Sequence, residues 1–253
     1  MDAFLKKLYS PPKLSHKGQN GKLLVIGGSR RYHGAPVFSL LAARRFVDLM
    51  YFYPGENDQQ LISAVKRIPE AMVVGDLRHT AEMDCVLFGI GLSDARFDVD
   101  FVLEYARSVV VDGDGLKLIK GRVPAGSILT PHEGEFRMLF GVEGTRRNVE
   151  SMARESSCVI IKKDPLADII SDGKQTVLNK VHNQGMTKGG TGDVLAGLIA
   201  ALACKNDIFT AAVAGAHLNG YAGNRLVKRF GYNFCASDLA DELAPALKTL
   251  SGK

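Results

Sequence analysis

Short runs of β-forming residues recur along the first two-thirds of the chain, and several are apolar without a break. They lie at residues 22–26 (KLLVI), 49–53 (LMYFY), 71–74 (AMVV), 84–88 (DCVLF), 108–111 (SVVV), 127–129 (SIL) and 158–161 (CVII). A strand with one wet face alternates polar and apolar residues, whereas one covered on both faces does not. Helical periodicity fills gaps between the runs, as at residues 37–46 and 101–107. Strands alternating with helices predict an α/β fold, a central, mainly parallel β-sheet flanked by helices on both faces.

The texture changes after about Leu166. ADIISDGKQTVLN reads as a hairpin turning at Asp172-Gly173. Beyond it Val194, Leu195, Leu198, Ile199 and Leu202 share one face of a helix. A second helix, at about 207–229, carries small residues (Ala212, Gly215, Ala216, Gly223) that permit close approach to a neighbour, and a third opens at Ser237-Asp238 with capping chemistry. No linker, low-complexity tract or long repeat divides the 253 residues, so the expectation is a single domain, 1–253.

Charge and cysteine usage narrow the function. The balance of 32 Lys+Arg against 27 Asp+Glu gives +5. The excess is scattered in pairs such as Arg44-Arg45 and Lys162-Lys163, unlike the concentrated patch of a nucleic-acid binder, and it suits a small polyanionic substrate. Cys85, Cys158, Cys204 and Cys235 form no CxxC pair, and the first three sit in apolar runs, which reads as free thiols in a reducing compartment. No apolar stretch is long enough to span a bilayer. The expected location is the cytoplasm.

Lys188-Gly189-Gly190-Thr191-Gly192-Asp193, just before the amphipathic helix, is the most informative segment. Its glycines allow a tight turn, and unpaired amides of the helix start make an anion hole. A carboxylate beside an anion site suits metal binding or proton removal. The same spacing also fits a plain turn with Asp193 as a helix-start carboxylate. The segment lacks the Lys-Ser/Thr of a Walker A loop, and neither Gly27-Gly28-Ser29 nor Gly89-Ile90-Gly91 completes GxGxxG. His132, in TPHEGE, reads as a loop-tip ligand or a helix cap, and Asp112 and Asp114 read as a metal-linked pair or a turn.

Taken in order, the segments SHKGQNGKLLVIGGSRRYHGAP (15–36), IPEAMVV (68–74), GIGLSD (89–94), VDGDGLKLI (111–119), TPHEGEF (130–136), VIIKKDPLADIISDG (159–173), KGGTGDVLAGLIAAL (188–202) and AAVAGAHLNGYAG (211–223) resemble the ADP/ATP-dependent NAD(P)H-hydrate dehydratases of the ribokinase-like superfamily. The resemblance implies a ribokinase-like domain without a fused epimerase domain. It implies ADP-dependent dehydration of the S-form of hydrated NADH and NADPH, in which the C6 hydroxyl is phosphorylated and phosphate is then eliminated. Asp193 would be the catalytic base. Ala35, Gly91, His132 and Asp193 would bind the hydrate, and Lys162, Gly190, Thr191 and Gly192 would bind the nucleotide. Mg²⁺ would accompany ADP (or ATP), with no metal ligand assigned, and the enzyme would be a homotetramer with no nucleic-acid or membrane partner.

Three departures mark this chain. Lys162-Lys163 followed by Asp164-Pro165-Leu166 stands where the family usually has Lys-Gly and a Thr-containing stretch. Phe46-Val47-Asp48-Leu49 replaces a small-residue run. Lys117 closes Asp112-Gly113-Asp114-Gly115-Leu116 where Asn is usual. The alternative readings are a small-molecule kinase of the same superfamily, acting on a vitamin-like alcohol, and a non-catalytic nucleotide-binding protein.

Overall fold

The structure is a computed structural model describing residues 2–251. Its sheet holds nine strands: β1 (Lys22–Gly27), β2 (Leu49–Pro54), β3 (Ala71–Val73), β4 (Cys85–Phe88), β5 (Val109–Val111), β6 (Ile128–Leu129), β7 (Val159–Lys162), β8 (Asp168–Ser171) and β9 (Thr176–Asn179). Their order is β3-β2-β1-β4-β5-β6-β7-β8-β9. Every pair from β3 to β7 is parallel, while β7, β8 and β9 pair antiparallel. The parallel strands are the seven apolar runs, and the antiparallel edge is the predicted hairpin. Its four-residue loop is closed by the Asp172 carboxylate, which accepts from the amides of Lys174 (2.8 Å) and Gln175 (2.6 Å).

The helices are α1 (Asp2–Lys6), α2 (Gly34–Ala43), α3 (Gln59–Val65), α4 (Val99–Tyr105), α5 (Gly115–Leu118), α6 (Glu133–Phe140), α7 (Arg146–Glu155), α8 (Thr191–Ala203), α9 (Ile208–Phe230) and α10 (Ala236–Ser251). Strand alternation divides the core between two layers. Leu23, Val25, Phe52 and Leu87 pack under α1–α3 and α8–α10. Leu24, Ile26, Val86 and Phe88 pack under α4–α7. Both faces of β1 and β4 are therefore dry, and each fully buried Leu or Val contributes roughly 1.5–3 kcal/mol.

Several helix limits differ from the sequence reading. α2 begins at Gly34 and not at 37, because Pro36 needs no amide partner in a first turn. α4 starts at Val99, capped by Asp98 through the Phe101 amide (2.9 Å), and ends when Ala106 turns extended. α10 begins one residue early: the Asp238 carboxylate reaches back to the Cys235 amide at 2.8 Å. The small glycines of α9 admit close neighbours as expected: a Cβ on Gly215 would lie 2.7 Å from Ile199 of α8, and one on Gly223 would lie 2.6 Å from Met186 Sδ. At the 46–49 departure, Phe46 and Val47 pack on the first layer, and Asp48 Oδ2 accepts from the amides of Gly18 and Asn20.

The carboxyl ends of β1, β4, β5, β6 and β7 lie along one edge of the sheet. Here the apolar runs give way to Gly28, Gly89, Asp112, Thr130 and Lys163. Open parallel sheets bind ligands at such an edge.

Candidate active site

The turn before α8 is built by Gly190, which caps the helix in the left-handed conformation at φ 93°. A Cβ there would also lie 2.5 Å from the Phe38 ring. Thr191 Oγ1 donates to the carbonyls of Met186 (2.6 Å) and Lys188 (2.8 Å), and Lys188 Nζ donates to the carbonyls of Tyr232 and Phe234. These bonds fix the turn, leaving the amides of Gly192 and Asp193 with no partner among the described residues. Two free N–H groups at the positive end of a 13-residue helix form the expected anion hole. Fully buried Ser39, on α2, donates to the Asp193 carbonyl at 2.8 Å and braces the first turn from behind.

Asp193 projects from that turn into a cluster of charge. Burial and the Asp112 carboxylate push its pKa up to about 7, against the opposing pull of Lys163. Asp112, at the end of β5, is 5% exposed; its Oδ1 accepts from Thr130 Oγ1 (2.6 Å) and Lys163 Nζ (2.9 Å). Burial works against the Lys163 charge, but Asp112, Glu135 and Asp193 outweigh it and hold its pKa above the usual value.

The two adjacent lysines part company because β7 alternates. Ile160 belongs to the α4–α7 layer and Ile161 to the α8 layer. Lys162 follows Ile160: its ammonium is buried against Glu133 (3.0 Å) and Asp164 (2.6 Å). Hydrogen bonds from Arg137, the Gly144 amide and Lys162 draw the Glu133 pKa down to about 2. Lys163 follows Ile161 and turns toward α8; a Cβ on Gly192 would lie 3.9 Å from its Nζ.

Three adjoining cavities line the edge. Ala35, Gly91 and Asp193 share one of about 380 Å³ with Tyr32, Ser93, Asp94, Asp114 and Lys117. Gly91, His132 and Asp193 line a second of about 400 Å³. The third, about 460 Å³, brings His132 together with Lys163, Asp164, Thr191, Gly192, His182 and Asn219. The structure thus gathers Ala35, Gly91, His132, Thr191, Gly192 and Asp193 along one cleft. Gly190 shapes the turn from behind, and the Lys162 side chain lies on the opposite face of the sheet.

His132 is both cap and lining residue. Its Nδ1 accepts the Glu135 amide (3.2 Å) while Glu135 Oε2 accepts the His132 amide (2.8 Å), a reciprocal cap on α6. With Nδ1 committed as acceptor, Nε2 is the ring's remaining nitrogen donor, and it lies 3.6 Å from Glu135 Oε1 while the ring borders the cleft. Residues the sequence reading did not assign are Lys163, Ser93 and Asn219. The Ser93 amide donates to Asp114 Oδ2 at 2.8 Å. Asn219 is 4% exposed, with an Oδ1 that no described residue satisfies.

Comparison with known proteins identifies the family. A family profile described as NAD(P)H-hydrate dehydratase matches residues 23–245. A bifunctional NAD(P)H-hydrate repair enzyme of Methanocaldococcus jannaschii is 38% identical, over 96% of this chain and 51% of its own length. The chain spans about half the length of such bifunctional relatives. An ADP-dependent (S)-NAD(P)H-hydrate dehydratase of Cenarchaeum symbiosum is 35% identical over 92% of this chain and 91% of its own. Among solved structures, an ADP/ATP-dependent NAD(P)H-hydrate dehydratase of Bacillus subtilis, co-crystallised with ATP and Mg²⁺, superposes with a TM-score of 0.84. It is 24% identical, over 99% of this chain and 97% of that one. A ribokinase-like protein of Enterococcus faecalis superposes at 0.88, covering 100% and 96% at 24% identity. The fold is ribokinase-like, and the chain belongs to the NAD(P)H-hydrate dehydratase family.

Proposed function

We propose that this protein dehydrates the S-form of hydrated NADH and NADPH at the expense of ADP, giving AMP and phosphate. One observation carries the reading: Asp193, with a pKa near 7, lies beside the two free amides, where the substrate-side cavities meet the cavity lined by Gly192. The hydrate occupies the cavities lined by Ala35, Gly91 and His132. The nucleotide occupies the cavity of Thr191, Gly192 and the strand end that begins at Lys162.

Asp193 accepts the proton of the C6 hydroxyl as that oxygen bonds the β-phosphorus and the bond to AMP breaks. A base near pH 7 is matched to this transfer. The amides of Gly192 and Asp193 hold the phosphoryl oxygens in flight. Hydroxide is a poor leaving group and phosphate a good one, so the ring nitrogen's lone pair then expels phosphate from C6, and the resulting iminium loses its C5 proton to water or the departing phosphate to restore the dihydropyridine.

The donor set suits a Mg²⁺ ion held mainly by phosphate oxygens. Asp112 Oδ2 accepts no hydrogen bond from a described residue, while the described residues contain no cluster of three ligands that would cage a metal alone. When bound, that ion neutralises phosphate charge. The unpaired cysteines fit a reducing, cytoplasmic setting. A homotetramer follows from the family resemblance, and light scattering that shows only monomer would overturn it.

The deciding experiment mixes the protein with hydrated NADH, Mg²⁺ and either ADP or ATP, following near-ultraviolet absorbance and phosphate release. Recovery of NADH with ADP is expected. Recovery with ATP alone changes the nucleotide, and a stable phosphate ester without NADH makes the protein a kinase.

A further inference from the structure

We propose that Lys163 is a direct ligand of the transferred phosphoryl group, an ammonium that completes the anion hole begun by the Gly192 and Asp193 amides. The inference rests on the nucleotide reading above and adds a residue to it.

Its placement is rigid. The Lys163 amide donates to the Pro131 carbonyl at 2.8 Å, and the backbone bridges to His132 across the end of the sheet. The parity of β7 then directs the side chain to the α8 side, where Nζ lies near Gly192. An ammonium has three donors. One is given to Asp112 Oδ1, and no other hydrogen bond is drawn among the described residues. The side chain is one-quarter exposed and lines the same cavity as Thr191 and Gly192, so the remaining donors have access to a ligand there.

Charge balance gives the reason for such a group. Asp112 and Asp193 present two carboxylates to the place where phosphate must sit, and like charges resist one another. Two amide dipoles carry only partial positive charge. Lys163 supplies a full one at the same mouth. Lys162 is unsuited to this role, because its ammonium is committed to Glu133 and Asp164.

The test measures ADP and AMP binding by calorimetry, without metal, for wild type, Lys163→Met and Lys163→Arg. NADH recovery is followed in parallel, and thermal unfolding checks the fold. AMP lacks the phosphoryl group in question. Lys163→Met is expected to weaken ADP roughly 10- to 100-fold and AMP less than about 2-fold, and Lys163→Arg to restore most of the difference. Equal weakening of both nucleotides, or none in a folded variant, would overturn the assignment. A wild type that recovers NADH while Lys163→Met keeps the ADP preference refutes Lys163 alone. A wild type that shows the split but recovers no NADH refutes the dehydratase reading and keeps the phosphate ligand.

Discussion

The elevated pKa of Asp193 has a cost in stability that can be measured. The carboxyl titrates at about 7 in the folded chain against 3.8 in the unfolded one. Between these values the native state binds the extra proton, so the contribution is complete below 3.8 and is lost as pH rises through 7. Integrating the difference from pH 5 to pH 8 gives a loss of roughly 2.5 kcal/mol from this one residue. In Asp193→Asn the loss disappears. Urea denaturation of both proteins at each pH from 5 to 8 should therefore show the variant gaining on wild type by up to that amount, most steeply below pH 7. The same substitution should lower kcat by about 10²- to 10⁴-fold, since the proton acceptor is gone. A stability gap constant across the range would mean that Asp193 is an ordinary carboxylate, and the argument for it as a base matched to neutral pH would fall with it.

Asp112→Asn removes the carboxylate that raises Asp193, so the acid limb of kcat/KM should move below its wild-type position near pH 7; an unmoved limb would uncouple the two. Gly190→Ala forces a Cβ into the left-handed region and against Phe38, and chemical denaturation should show a loss of roughly 2–4 kcal/mol. His132→Ala should raise KM for the hydrate about 10-fold with little change in kcat, and His132→Asn, which can still cap α6, should raise it as much; an unchanged KM in His132→Asn would reduce the residue to its capping role.

Much of the fold was legible because strands covered on both faces leave an unbroken apolar run. The same property hid which way Lys163 turns. In VIIK all four residues are buried, so nothing in the string says which face each one takes. The parity that sends Lys162 to Glu133 and Lys163 to Gly192 comes from the layers on either side. GGTGD was easier, because a glycine turn before an amphipathic helix gives a helix-start anion site by backbone geometry alone. Asn219 was hidden for another reason: it sits in the apolar run of α9, and only the packing of that helix shows its Oδ1 without a partner.

The placement of Asp112, Lys163 and Asp193 on three separate elements solves a problem that any two of them would leave open. Lys163 beside Asp193 alone would draw its pKa down and leave a weak base paired to an ammonium. Two carboxylates alone would hold that pKa high, but they would also repel the phosphates that must arrive. With Asp112 hydrogen-bonded to Lys163 at 2.9 Å, the ammonium is anchored off the base, and burial together with the second carboxylate keeps Asp193 near 7. Thr130 locks Asp112 from the neighbouring strand at 2.6 Å, which keeps the arrangement from collapsing toward Asp193. The half-ionised Asp193 and the paired Asp112 and Lys163 then leave the cluster with only about half a negative charge at pH 7. The helix dipole and the spare donors of Lys163 therefore set the attraction for an incoming phosphate, and proton transfer to Asp193 proceeds without a strong field opposing it.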